Sequence, residues 1–240
     1  MSDQKIPDVI ERPLPNGVIY NMSTVGQVRI TLPESSTWSS GLHWHETHDE
    51  YLKVVKGTIR VRLGDTRQVI SATEGNQPEI KVPRYVWHEW QRAALEGEEV
   101  VVIERTDPDD NDKAIFFWNI NGVILNSPKM LSDETSVLSR LPSRLQGLFL
   151  DSWIPLNLFI IFRSLDNIPV FLNAPDLSRV SDKRLRSLLQ NIDVVVSHLI
   201  LLGVSWAGLV LGLQPVQQKY TPDDAYAAWQ LRRKNVKKTA

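Results

Sequence analysis

Residues 41–57 read Gly41-Leu-His-Trp-His-Glu-Thr-His-Asp-Glu-Tyr-Leu-Lys-Val-Val-Lys-Gly57, and the expected chemistry of the chain follows from them. Residues two apart on a strand share a face, so His43 and His45 project together to one side. A short turn near 46–47 lets Glu50 rejoin them from the next strand. Farther on, Pro83-Arg-Tyr-Val-Trp-His88 supplies a fourth side chain from a later strand. Three imidazoles and a carboxylate make a donor set for one divalent metal ion. Fe(II) is favoured, Mn(II), Zn(II), Ni(II) or Co(II) are also suited, and positions remain for water or substrate.

The surrounding pattern predicts strands. Val28, Ile30 and Leu32 alternate with polar neighbours, and Ile59, Val61 and Leu63 alternate with Arg60 and Arg62. Gly57 and Gly64-Asp65 supply turns on either side of the second run. Further strands are expected at 79–82, 86–90 and 99–104. Many short strands without intervening helices predict an antiparallel sandwich or closed barrel, ending at Thr106-Asp107-Pro108-Asp109-Asp110. Ile59, Val61 and Leu63, with Trp90 at the same parity as His88, are the candidate wall of a hydrophobic substrate pocket. His48 has the parity of Glu50 and is the candidate catalytic side chain, or else a support for the ligands.

The spacing His-x-His, four residues, Glu, six residues, Gly resembles the first motif of the cupin superfamily, met here by His43, His45, Glu50 and Gly57. The second motif, a proline, a turn glycine and then histidine, is met by Pro83 and His88. The leading glycine of the first motif is absent, and Tyr85 stands where the turn glycine is usual. With Glu104-Arg-Thr-Asp-Pro108 and Phe116-Phe-Trp-Asn-Ile120, the stretch is similar to a group of cupins found mainly in filamentous fungi, often beside natural-product genes. The resemblance covers residues 41–120 specifically and the remainder loosely. It implies a mainly β fold with α: an antiparallel cupin barrel (a double-stranded β-helix or jelly roll) followed by a helical extension.

Beyond Asp112 the apolar period lengthens. Helices are expected over 112–125, over 133–150 with Ser132 or Asp133 as cap, and over 181–213. Thr221-Pro222-Asp223 reads as another helix start with Thr221 as cap. The division is therefore 1–110 for the barrel and 111–240 for the extension. Within the latter, 194–213 is a 20-residue run without formal charge. That matches a hydrocarbon core roughly 30 Å thick, so membrane association is expected there, with a buried helix or a dimer interface as the competing reading. Gly208 and Gly212 form a small-xxx-small pair that permits close helix approach. Basic residues flank both ends of the run, and Lys237-Lys238-Thr-Ala240 resembles a dilysine retrieval signal.

Composition narrows the classes. A net charge of −1 over 240 residues carries no nucleic-acid signature, and the lack of cysteine excludes disulfides and thiolate chemistry. The N-terminal stretch has no apolar core of a secretory leader, which predicts a cytoplasmic protein or one at the endoplasmic-reticulum membrane. The expected function is a metal-dependent enzyme acting on a hydrophobic, natural-product-like small molecule, with oxidation favoured. A redox-neutral isomerase, cyclase or decarboxylase is the alternative, and a non-catalytic binding module the second. A homodimer is expected.

Overall fold

The structure, a computed structural model, describes residues 5–132, 137–173 and 180–239. Its first half forms two antiparallel sheets, one of which gains a short edge strand from the second half. One has the order β1-β2-β3-β10-β5-β8: β1 (Val9–Arg12), β2 (Val18–Asn21), β3 (Val28–Leu32), β5 (Asp49–Lys56), β8 (Glu79–Val82) and β10 (Val100–Asp107). The other has the order β11-β4-β9-β6-β7: β4 (His43–Trp44), β6 (Thr58–Leu63), β7 (Thr66–Ser71), β9 (His88–Arg92) and β11 (Ile168–Pro169). The mainly β architecture with a helical C-terminal region is the one expected. Alternation does what the pleat requires: Val28, Ile30 and Leu32 are buried on one face while Arg29 is exposed.

Gly57 joins β5 to β6 with φ 75°, and a Cβ there would meet the Glu99 carbonyl oxygen at 2.9 Å. Both the positive φ and the close approach call for glycine. Tyr85 also takes a positive φ, 64°, so the turn before β9 keeps a left-handed residue although no glycine is present. That turn delays the strand expected at 86–90, which starts at His88.

The helices are α1 (Asp112–Asn126), α2 (Lys129–Ser132), α3 (Ser143–Ser164), α4 (Lys183–Val210) and α5 (Asp223–Thr239). Two expectations need correction. Ser132 ends α2 instead of capping a helix, and Asp133 lies outside the described residues; the long helix begins only after Pro142, because the residue before a proline is disfavoured in helical geometry. Thr221 does not cap α5. Its hydroxyl donates to the Gln217 carbonyl and accepts from buried Asn119, which ties α1 to the segment before α5. The side chains of Lys237 and Lys238 lie outside the described residues.

The helical half closes over the sheets. Ala114, Ile115, Phe117 and Trp118 of α1 are buried in the core between the sheets and helices, and α3 adds Ile161. Ile168–Pro169, between α3 and α4, pair with His43–Trp44 as an added edge strand. On the outer face of this sheet Trp44 stacks on Trp87, ring centroids 6.0 Å apart, beneath Leu201 of α4. Both tryptophans flank a ligand in sequence and so point away from the ligand side by strand parity.

Candidate metal centre

His43 and His88 are direct register partners across β4 and β9, which brings their ring centroids to 4.1 Å. His45 follows two residues after His43, and Glu50 enters from β5 across the two-residue bend. Ligand atoms of all four residues lie within 4.8 Å of one another, and all four side chains are buried.

The three imidazoles are oriented alike. Nδ1 of His43 donates to the Gly41 carbonyl at 2.8 Å, Nδ1 of His88 to the Val86 carbonyl at 2.9 Å, and Nδ1 of His45 to the Asp166 carbonyl. Each bond places the proton on Nδ1 and leaves Nε2 as a lone pair, the tautomer a metal ligand needs. Burial, reinforced by the neighbouring imidazoles, pushes His43 well below the ordinary histidine range. Burial also lowers His45, against the opposing pull of Glu50. Burial would raise Glu50, but the Lys113 ammonium beside it overrides this and keeps the carboxylate ionised.

The residues present fit a divalent cation. Nε2 of His45 and Nε2 of His88 are buried without a hydrogen-bond partner, a rare condition for buried polar atoms. Nε2 of His88 nonetheless lies 2.9 Å from Oε2 of Glu50, and Nε2 of His45 3.7 Å from Oε1. With the protons on Nδ1, these are lone pairs facing carboxylate oxygens, an arrangement a cation would satisfy.

Lys113, on the first turn of α1, donates to Oε1 of Glu50 and lies 3.4 Å from Oε2 of Glu104. Oε1 of Glu104 accepts from the Trp90 indole at 2.7 Å. Burial raises the pKa of Glu104, with Lys113 opposing. Nothing in the spacing of the sequence singles out Lys113 or Glu104, since their approach depends on how α1 docks.

His48 stands apart from the cluster. Its Nδ1 is 2.8 Å from Oδ2 of Asp166 and its Nε2 3.3 Å from Oδ2 of Asp110. Burial would lower its pKa, but the two carboxylates raise it to about 9. A protonated ring with both N–H groups directed at carboxylates has no lone pair to offer a substrate. The position makes His48 a clamp that joins the turn before β5 to Asp110, ahead of α1, and to the turn after α3.

A cavity of about 220 Å³ opens beside the cluster, bounded by His43, Glu50, Glu104 and Lys113 on one side. Its apolar wall is Trp38, Phe116, Phe117, Ile120, Leu158 and Phe162, and Arg12 and Tyr20 also line it. The residues expected to line a pocket are not among those that line this cavity. Ile59, Val61 and Trp90 are fully buried in the core, and Leu63 is half-buried opposite His88 in the β6–β9 register. The wall comes from α1, α3 and the segment before β4, because the helical half covers that mouth of the sheets.

No protein-family model and no curated protein matches the chain. Among solved structures, a predicted oxalate decarboxylase from Thermotoga maritima is 16% identical over 44% of this chain and 95% of its own, with a TM-score of 0.34. KdgF from Halomonas sp. is 19% identical over 40% of this chain and 86% of its own, at 0.32. The capsular polysaccharide assembling protein CapF from Staphylococcus aureus is 16% identical over 44% of this chain and 30% of its own, at 0.33. The chain therefore spans about a third of the length of the CapF chains it matches. At these scores the fold rests on its own strand order, and the site on its own geometry.

Proposed function

We propose that this chain is a metal-dependent enzyme of the cupin type, acting on a largely apolar, natural-product-like small molecule. One observation carries the reading: three histidines locked as Nδ1–H tautomers turn their free nitrogens toward one carboxylate, at the side of an apolar cavity. His43, His45, His88 and Glu50 would hold the ion. Bound there, it supplies Lewis acidity toward a substrate oxygen or redox chemistry with dioxygen. The chain does the rest. Backbone carbonyls orient the imidazoles, Phe116, Phe117 and Phe162 exclude water, and Lys113 holds the carboxylates of Glu50 and Glu104 in place.

Oxidation is the favoured reaction class, because one carboxylate and three neutral nitrogens would suit Fe(II) and its redox chemistry. The Lys113–Glu104 pair favours a second reading, a redox-neutral isomerase, cyclase or decarboxylase. It sets an ammonium and a carboxyl of raised pKa against the cavity, groups suited to moving a proton. Elemental analysis of freshly purified wild type and His43→Ala tests the shared premise. Bound metal in the wild type and its loss in the variant is the expected result, and equal content rejects the reading. Turnover that continues without dioxygen, or with Zn(II), selects the redox-neutral class.

We infer also that α4 pairs with the α4 of a second copy. Leu185, Leu188, Ile192, Val195, Leu199, Leu202, Trp206 and Leu209 are all exposed, at alternating steps of three and four residues. That is the seam spacing of a coiled coil. The opposite face of the helix is buried, with Leu201 in one apolar cluster with Trp44 and Trp87 and Gly208 against Ile160 of α3. By length and composition α3 and α4 are both also apolar enough to cross a membrane, so attachment to a bilayer is the competing reading.

A further inference from the structure

Resting on that reading of the cavity, we propose that its ligand is an apolar, aromatic-sized molecule bearing a carboxylate, and that Arg12 and Tyr20 bind this group. Arg12 ends β1, the edge strand, and Tyr20 lies on β2; in the register Arg12 faces Val18 and Ile10 faces Tyr20, so the two side chains are diagonal neighbours on one face. Nη2 of Arg12 donates to the Tyr20 oxygen at 2.7 Å, and the Trp38 indole donates to the same oxygen at 2.9 Å. Both lone pairs of that hydroxyl are thus occupied. Its own proton has no acceptor among the described residues, and buried Nε of Arg12 has no partner either. Two donors therefore stand unused where both residues line the cavity.

The charges point the same way. Both carboxylates on the cavity wall, Glu50 and Glu104, are held by Lys113. No carboxylate forms an ion pair with Arg12 among the described residues, which leaves a half-buried guanidinium without a counter-ion. A charge removed from water calls for a partner. A guanidinium presents a planar fork that matches the two oxygens of a carboxylate, and a tyrosine hydroxyl adds a third donor. The remaining wall is aromatic and aliphatic, so the body of the ligand must be apolar. His43 and Glu50 of the metal cluster line the same cavity. The carboxylate end would thereby fix which carbon or oxygen of the ligand is presented to His43 and Glu50.

Calorimetric titration of metal-free protein with 2-naphthoate and its neutral counterpart 2-naphthamide tests this. Wild type should prefer the carboxylate by about tenfold or more, the size expected for hydrogen bonds to a charged group. Arg12→Gln should abolish the preference, and Tyr20→Phe, which keeps the ring on Phe117, should reduce it several-fold. Equal affinity for the two probes, or no binding of 2-naphthoate at millimolar concentration, overturns the assignment. So does a preference that survives both substitutions, or one that appears only in metal-loaded protein and withstands Arg12→Gln, since the carboxylate would then sit on the metal. Should Arg12→Gln fail to fold, wild type and Tyr20→Phe decide the matter. Metal content is a separate readout: its loss from wild type would reject the metal centre while leaving the carboxylate preference of the metal-free protein standing.

Discussion

The backbone carbonyl of Asp166 accepts the Nδ1 proton of His45 across 121 residues of chain. Its carboxylate also accepts the amides of Glu46, Thr47 and His48 at 2.8, 2.9 and 3.1 Å, so the turn between the ligands His45 and Glu50 is held from the helical half. Asp166→Ala keeps the carbonyl but frees that turn. Metal affinity, measured by competition with a chelator, should fall by about tenfold to a hundredfold, the range for groups that orient metal ligands. Unchanged affinity would mean that the barrel alone sets the turn.

The His48 clamp predicts a dependence of stability on pH. The folded-state pKa of His48 is raised from 6.5 to about 9, so its contribution is full below about 6.5 and is lost as pH rises through about 9. Asp166 is displaced the other way. Burial would raise it, but hydrogen bonds from His48 and Thr47 bring it from 3.8 to about 2, so its contribution is present above 3.8 and lost as pH falls through about 2. Thermal melts of wild type should weaken between about pH 6.5 and 9, and His48→Gln should flatten that alkaline limb. Parallel pH profiles for the two proteins would remove His48 as its source.

Tyr85→Gly should stabilise the fold. A non-glycine residue in the left-handed region costs about 1–2 kcal/mol, and Tyr85 is 64% exposed, so little packing is lost with its side chain. The greater freedom of glycine in the unfolded chain offsets part of the gain, and a net increase of about 1 kcal/mol is expected in chemical denaturation. The turn matters to the site because the Tyr85 amide donates to the carbonyl of His45 at 2.7 Å. A loss of stability would show that the side chain contributes more than its surroundings suggest.

Charges placed on the α4 stripe should separate copies of the chain. Val195 and Leu202 are 56% and 40% exposed, so Val195→Glu with Leu202→Glu should leave the fold intact. Sedimentation velocity should show a wild-type dimer and a monomeric double variant. A monomeric wild type that floats with liposomes would assign the stripe to a membrane instead.

The convergence of His43 and His45 was legible in the chain because strand parity is local: two residues apart, pleat alone puts them on one face. The turn to Glu50 and the approach of His88 were read from spacing and from the motif resemblance. The same parity turns Trp44 and Trp87 outward, where they support α4. Lys113, Glu104, Asp166, Arg12 and Tyr20 carry no such local mark. Each owes its place to the docking of elements far apart in sequence, and an ion pair or a cavity wall between distant segments has no period by which to be read. Hence the pocket expected on Ile59, Val61 and Leu63 is walled instead by α1 and α3, whose apolar positions read equally well as plain core until the helices are seen to close over the barrel mouth.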